Sequence, residues 1–295
     1  MKKIIFIFLL AALCVGLWLF HAHKTPVHTD GKLQVVSSGY VPYTLAKQLA
    51  GSQADVSMLL PPNAEPHSFE PTPGALVAVR QADLFVYVSD SLEPWARDIV
   101  SGAGSSSRVV RLADFAAPSP DPHIWMSFTN MAHMAQGLSS ALAEKDPAHA
   151  DVYQANLQQM QAELTRLQTA YQTELAHCQS RQLVHIGHLA FGLLAKEYQL
   201  SLSALAGSSH DGEHSARRLA DLIVLIKQNH VPAIFTEPTL SPRLAATVSQ
   251  ETGVQVLPLY TVESVSKTDF EQGVTYAELM RRNLENLKRG LKCQA

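Results

Sequence analysis

The chain has 295 residues, of which 46% are apolar and 17% are charged. That length predicts about two domains, each with its own core, and the composition excludes a disordered chain and a coiled coil. The formal net charge of −3 argues against general nucleic-acid binding, which needs a basic surface. Histidine is abundant, with 13 residues, and it is the commonest metal ligand, so its placement is the main question.

The N-terminal segment is typical of an export signal. Lys2 and Lys3 precede an unbroken apolar run, Ile4–Phe20. Three outcomes stay open: a cleaved signal peptide, an uncleaved N-terminal anchor that tethers the protein to the membrane, or a lipoprotein signal at Cys14. All three export the chain, so we predict that residues 1–22 are a signal peptide or anchor and that the protein is periplasmic or otherwise extracytoplasmic.

Strands and helices alternate in the first part of the chain. We predict strands at Leu33–Ser37, Asp55–Leu60, Leu84–Val88 and Arg108–Arg111, with helices at Val41–Ala50 and Gly74–Gln81. A proline-rich loop, Pro61–Pro73, separates the second strand from the second helix. This alternation predicts a parallel sheet with helices on its faces.

A single long helix is predicted over Pro147–His177. Apolar residues recur there every three or four positions, at Tyr153, Leu157, Met160, Leu164, Leu167, Tyr171 and Leu175. At 1.5 Å per residue such a helix is roughly 45 Å long, which is enough to run the height of a two-domain protein.

The alternation then resumes. We predict strands at Gln182–His185, Ser201–Leu205, Ala233–Thr236 and Val254–Leu257, and helices at Phe191–Tyr198, Ser215–Asn229, Pro242–Thr252 and from Tyr276 to Leu291. The predicted fold is α/β: two β/α lobes with parallel sheets, residues 33–146 and 179–295, joined by one long rigid linker helix at residues 147–178. Cys178 and Cys293 either form a disulfide in the oxidising compartment or remain two free thiols.

Three histidines lie in loops that follow predicted strands. His67 lies between prolines, His123 follows Pro122, and His188 lies at a strand-to-helix turn three residues after His185, which we expect in the core. Ligands of open α/β sheets bind beyond the carboxyl ends of the strands. Each histidine alone also fits an ordinary structural role, but three imidazoles together suit zinc, whose usual coordination number is four.

Five segments in this order resemble a known family. They are EPHSFEP in the proline-rich loop, DPHIWMS at 121–127, HLAFGLLAKEYQL at 188–200, IFTEPTLSP at 234–242 and ETGVQVLPL at 251–259. The chain resembles the metal-binding solute receptors of bacterial zinc and manganese ABC importers, the cluster A-I or zinc-uptake type, over about residues 33–292. The resemblance implies two lobes joined by one helix and matches the family's metal histidines to His67, His123 and His188.

The resemblance implies capture and release rather than catalysis. We expect an extracytoplasmic receptor, not an enzyme, that binds Zn²⁺ in the cleft between the lobes and delivers it to the permease of an ABC importer. We expect a monomer whose long helix limits the hinge motion to a small local closure. Since histidine must be neutral to bind a metal, the affinity is expected to fall below about pH 6.5.

Two departures from the family pattern concern the metal. The family often has an Asp after the last strand as fourth ligand, and the matching residue here is Tyr260, which leaves the charge of the ion uncompensated. Water, Glu237 or His210 are the open alternatives for the fourth position. The segment Phe115–Asp121 is short and lacks the histidine-rich loop that zinc-specific members often carry.

Ligand type favours Zn²⁺ over Mn²⁺, because manganese prefers carboxylate oxygen and His188 supplies nitrogen where manganese receptors of the family usually have an acid. Two other functions stay open. One is a surface adhesin of the same family, and the other is a zinc hydrolase, for which no HExxH-like motif supplies a general base.

Overall fold

The fold is described from a computed structural model that covers residues 31–103, 108–207 and 216–294. Two parallel sheets of four strands each form its framework, which confirms the predicted α/β class. The export segment predicted at residues 1–22 and the loop that contains His210 lie outside the described residues. Among the residues that are described, no helix is both long enough and apolar enough to cross a membrane.

The first lobe is built on a sheet with strand order β2-β1-β3-β4, and every neighbouring pair is parallel. In chain order its elements are β1 (Leu33–Ser37), α1 (Tyr40–Ala50), β2 (Ala54–Met58), α2 (Pro73–Gln81), β3 (Leu84–Tyr87), α3 (Pro94–Ala103), β4 (Arg108–Arg111) and α4 (Phe128–Lys145). The helices α3 and α4 are not among those predicted from the sequence.

The long helix α5 (Ala150–Glu174) follows a short 3-10 turn, Pro147–His149, and is therefore somewhat shorter than predicted. It buries the predicted apolar stripe: Tyr153, Leu157, Met160, Leu164, Leu167 and Tyr171. One part of the helix packs against α1 and α4 of the first lobe. Near its other end, the hydroxyl of Tyr171 donates a hydrogen bond of 2.7 Å to the carbonyl of Met280, in the final helix.

The second lobe repeats the arrangement of the first, with strand order β6-β5-β7-β8 and parallel pairing throughout. Its elements are β5 (Gln182–Ile186), α6 (Gly192–Glu197), β6 (Ser201–Ala204), α7 (Ala216–Gln228), β7 (Ala233–Thr236), α8 (Arg243–Thr252), β8 (Gln255–Pro258), α9 (Lys267–Glu271) and α10 (Tyr276–Leu291). A capping box between Thr275 and Glu278 begins α10. The exact domain limits drawn from the sequence stay a prediction.

One hydrophobic core is shared by the two lobes. The same buried cluster contains Val35 and Val86 of the first sheet, Leu164 of α5, and Phe235 and Leu257 of the second sheet. Separating the lobes widely would expose part of this core to water, which is unfavourable in proportion to the apolar area exposed.

Of the two alternatives left open for the cysteines, the structure has the disulfide. Cys178, just after α5, is bonded to Cys293, just after α10. Backbone hydrogen bonds accompany it, since the amide of Gln179 donates to the carbonyl of Lys292 and that of Ser180 to the carbonyl of Leu291. The C-terminus is thereby fixed to the end of the long helix.

Candidate metal centre

His67 lies in the proline-rich loop between β2 and α2. The indole Nε1 of Trp95 donates a hydrogen bond of 2.8 Å to the carbonyl of Pro66, and the indole ring packs edge-on against Phe69. Both contacts fix the position of the loop. The backbone amide of His67 donates to the carboxylate of Glu65 at 3.1 Å. The His67 side chain is 10% exposed, and its Nε2 atom is buried with no hydrogen-bond partner among the described residues.

His123 precedes a short 3-10 turn, Ile124–Met126, and is fully buried. The Oδ1 atom of Asp121 accepts a hydrogen bond from its backbone amide at 3.0 Å and lies 2.9 Å from its Nδ1. With the Nδ1 proton assigned to this contact, Nε2 presents its lone pair on the other side of the ring. The imidazole ring also meets the Trp125 ring edge-on, with 5.4 Å between the centroids.

His188 is fully buried two residues beyond the end of β5. Its Nδ1 lies 3.0 Å from Oε1 of Glu237, which directly follows β7. Gly187 makes this approach feasible, because a Cβ at that position would lie 2.4 Å from Oε1 of Glu237 and 2.5 Å from Cε1 of His185. His185 itself is buried in β5, and its Nδ1 lies 3.0 Å from the His188 carbonyl oxygen, as suits the core position predicted for it.

The fourth side chain at this place is Glu263, which the sequence analysis does not identify. It lies in the loop after β8, and its carboxylate is 1% exposed. The residue before it, Val262, has a φ of 65°, a backbone conformation that β-branched residues rarely adopt. This turn lies at the end of the second sheet that also presents His188.

The ligand atoms of His67, His123, His188 and Glu263 all lie within 4.8 Å of one another. The Nε2 atoms of His123 and His188 are 3.0 Å apart. Oε1 of Glu263 lies 3.2 Å from Nε2 of His188, and Oε2 lies 3.3 Å from Nε2 of His123 and 3.8 Å from Nε2 of His67. Three imidazole nitrogens and one carboxylate oxygen are a ligand set that zinc prefers.

The contacts at the far side of the rings explain why this set favours a cation. Asp121 and Glu237 hold the Nδ1 atoms of His123 and His188, so in the neutral rings both Nε2 lone pairs face the same point. Two lone pairs 3.0 Å apart repel each other unless a proton or a metal ion lies with them.

The carboxylates around the cluster also raise the pKa values of His188 and His123. Burial alone would lower the pKa of His188, but the charges of Glu263 and Glu237 and their hydrogen bonds outweigh it and raise this pKa to about 10. The pKa of His123 is also raised, because contacts with Asp121 and Glu263 outweigh its burial. Positive charge is therefore stabilised where the four side chains meet.

The structure brings together the side chains of His67, His123 and His188, the three histidines that the sequence motifs single out, and places the carboxylate of Glu263 with them. Tyr260 is not part of the cluster; its ring packs beneath the guanidinium of Arg282, 5.8 Å from the ring centroid. Glu237 lies outside the cluster as well, and it contacts Nδ1 of His188, the nitrogen that faces away from the cluster. The carboxylate that lies with the three imidazoles belongs to Glu263, three residues beyond the position matched to the family's Asp.

Comparison with known proteins agrees with this geometry. Residues 35–290 match the family model described as zinc-uptake complex component A, periplasmic (ZnuA). The chain is 31% identical over 281 residues to the high-affinity zinc uptake system protein ZnuA of Bacillus subtilis, and the match covers 88% of each.

Two streptococcal proteins are also similar. The zinc-binding lipoprotein AdcA of Streptococcus pneumoniae is 31% identical over 309 residues, which is 98% of this chain but 61% of that longer protein. The structure of the laminin-binding protein Lmb of Streptococcus agalactiae, described as bifunctional with adhesin and metal transporting activity, matches with a TM-score of 0.80 at 31% identity. That match covers 88% of this chain and 99% of Lmb.

Proposed function

The chain belongs to the family of the periplasmic zinc-uptake component A, whose members are solute-binding proteins and not enzymes, and on this premise we propose that it captures one Zn²⁺ ion outside the cytoplasm and delivers it to the permease of an ABC importer. The observation that carries the proposal is the buried cluster of His67, His123, His188 and Glu263. We propose these four side chains as the zinc ligands.

The donor set supports Zn²⁺ over Mn²⁺. Three neutral imidazoles and one carboxylate suit zinc, whereas manganese is better served by more oxygen donors. The single negative ligand also offsets part of the ionic charge in a buried position, where an uncompensated charge is costly.

The ligands come from both lobes, which supports capture at their boundary. His67 and His123 belong to loops of the first lobe, and His188 and Glu263 to loops of the second. A small movement of either lobe would change the distances between ligands and weaken zinc binding. The shared core and α5 support a local closure over a wide hinge motion.

Export from the cytoplasm and a monomeric state are both expected from the proposed role. A receptor that meets a membrane permease must be exported, and the apolar segment Ile4–Phe20 supports export with or without a lasting membrane anchor. The two lobes already complete the ligand set within one chain, so the proposal needs no second copy, and we expect a monomer.

An adhesin is the second candidate, since the similar protein Lmb is described as both adhesin and metal transporter. A surface protein that had lost metal transport would not need to keep the ligands. The buried four-ligand cluster therefore favours metal capture as the role of this site.

A competitive titration tests the proposal. The metal-free protein is titrated with Zn²⁺ and, separately, with Mn²⁺ against a chromophoric chelator, alongside His67→Ala, His123→Ala and His188→Ala. We expect tight one-to-one binding of zinc, weak binding of manganese and loss of affinity in all three variants. His133→Ala, which removes an exposed histidine of α4, is the matched control. Parent-like zinc binding by all three variants would contradict the proposal.

A further inference from the structure

A cavity of about 140 Å³ lies beside the candidate metal centre, between loops of the two lobes. Its lining includes Asn63, which is exposed, and Glu65, which is 22% exposed. Its lining also includes Glu237 and Glu263, which are 2% and 1% exposed. The cavity therefore leads from the protein surface to one of the proposed ligands.

Glu65 lines this cavity, and His67 follows it by two residues on the inner side of the same loop. The exposed fraction of the side chain falls from 22% at Glu65 to 10% at His67 and to zero at His123 and His188. Oε1 of Glu65 lies 4.0 Å from Nε2 of His67, the buried ring nitrogen that has no hydrogen-bond partner among the described residues. A rotation of either side chain that shortens this separation to about 3.4 Å would let the carboxylate and the imidazole bind one tetrahedral zinc ion together.

Glu65 is nevertheless outside the final ligand set. The atoms that lie within 4.8 Å of one another belong to His67, His123, His188 and Glu263. His67 is thus shared by two groups of ligands: an outer pair with Glu65 and an inner group of four.

We propose that Glu65 is an entry ligand: it binds the incoming zinc ion together with His67 and releases it once His123, His188 and Glu263 have taken up the ion. The inference rests on the proposed function of zinc capture. Each protein ligand replaces one water of the hydrated ion, and the outer pair divides this exchange into two smaller steps. The same intermediate is crossed on release, so Glu65 accelerates capture and release alike and changes the equilibrium affinity little.

Two other roles for Glu65 make different predictions. A purely structural role, through the hydrogen bond that its carboxylate accepts from the His67 amide, is preserved in Glu65→Gln, because the amide oxygen is also an acceptor. A purely electrostatic role, in which the negative charge only attracts the cation, predicts slower capture but faster release when the charge is removed. The proposed relay predicts that both rates fall.

Stopped-flow fluorescence distinguishes the proposed relay from the structural and the electrostatic roles of Glu65. Trp125, whose ring contacts His123, supplies the signal. Capture is followed after mixing the metal-free protein with Zn²⁺, and release after mixing the loaded protein with excess chelator. The variant is Glu65→Gln, and the control is Glu70→Gln, which removes the same charge from an exposed position of the same loop.

For Glu65→Gln we expect both rates to fall by at least roughly fivefold, with the equilibrium affinity within about threefold of the parent value, while Glu70→Gln keeps the parent rates. Parent-like rates in Glu65→Gln, or a faster release, would overturn the relay while leaving the zinc receptor intact. Failure of the parent protein itself to bind Zn²⁺ at equilibrium would overturn the proposed function and the relay with it.

Discussion

The indole Nε1 of Trp125 donates a hydrogen bond of 2.8 Å to the carbonyl oxygen of Thr261. Trp125 follows His123 by two residues, and Thr261 precedes Glu263 by two. One buried hydrogen bond therefore joins a ligand loop of the first lobe to a ligand loop of the second. The hydroxyl of Tyr276 adds a further bond, 2.8 Å to the Trp125 carbonyl. The two halves of the site are positioned relative to each other by contacts that do not involve the metal.

Trp125→Phe tests this positioning. The substitution keeps an aromatic ring in the core but removes the donor, so the buried Thr261 carbonyl loses its partner, at about 1–3 kcal/mol. We expect a lower unfolding temperature of the metal-free protein and a zinc affinity reduced by roughly tenfold. Chelator competition and thermal denaturation measure the two effects. A variant that is less stable but binds zinc like the parent would show that the bond supports the fold and not the site.

Glu263→Gln should nearly abolish tight zinc binding. The amide is similar in size but carries no negative charge, so we expect the affinity to fall by at least roughly 100-fold, more than for changes that only orient a ligand. The exposed Glu271→Gln is the control, and chelator competition is the measurement. If Glu263→Gln kept the parent affinity, water or another residue would have to complete the coordination.

Substitution of Asp121 or Glu237, whose carboxylates contact the Nδ1 atoms of the histidines, should reduce zinc affinity less than Glu263→Gln does. Asp121→Asn and Glu237→Gln weaken the contacts that hold the Nδ1 atoms of His123 and His188, and such changes typically reduce metal affinity by roughly 10- to 100-fold. We expect both variants to bind zinc more weakly than the parent but more tightly than Glu263→Gln, as measured against the same chelator. The reverse order for Glu237→Gln and Glu263→Gln would make Glu237 the ligand.

A buried carboxyl outside the candidate metal centre, that of Glu93, predicts how stability depends on pH. Burial raises the pKa of Glu93 to about 7, although the hydrogen bond that its carboxylate accepts from the Val88 amide at 2.7 Å lowers it. The folded protein thus holds this proton more tightly than the unfolded chain, whose Glu titrates near 4.5. The contribution of Glu93 to stability is complete below about pH 4.5 and is lost as the pH rises through about 7.

The measurement is urea unfolding of the metal-free protein at pH 5 and pH 8, with Glu93→Gln as the comparison. Because the glutamine stays neutral, the parent should lose more stability than the variant between these pH values, by an amount on the order of 3 kcal/mol at about 1.4 kcal/mol per pKa unit. Equal pH dependence in the two proteins would mean that the Glu93 carboxyl is not perturbed.

Much of the fold follows from local pattern. Each of the eight strands lies within about two residues of its predicted position, since short apolar runs between turn residues are typical of buried parallel strands. The stripe from Tyr153 to Tyr171 likewise predicts the buried face of α5. The helix α4 was not predicted, because Gly, Ser and Ala interrupt its larger apolar residues and weaken the periodic signal.

The site could be predicted only in part. His67, His123 and His188 each follow a strand in a recognisable motif. The position of Glu263 depends on the turn at Val262, which has a positive φ, and a β-branched residue gives no sequence signal for such a turn. The sequence signal for Glu263 is that it is an acidic residue five positions after the end of β8, the edge of the sheet at which ligands bind. The roles of Asp121 and Glu237 depend on tertiary contacts, since Glu237 meets His188 across 49 residues of sequence.

The most direct measurement is a crystal structure of the zinc-loaded protein with anomalous data collected at the zinc absorption edge. We expect one strong anomalous peak, at about 2.0–2.1 Å from Nε2 of His67, His123 and His188 and about 2.0–2.2 Å from a carboxylate oxygen of Glu263. A peak bound by Glu237 or Tyr260 in place of Glu263, or no peak among the three histidines, would contradict it.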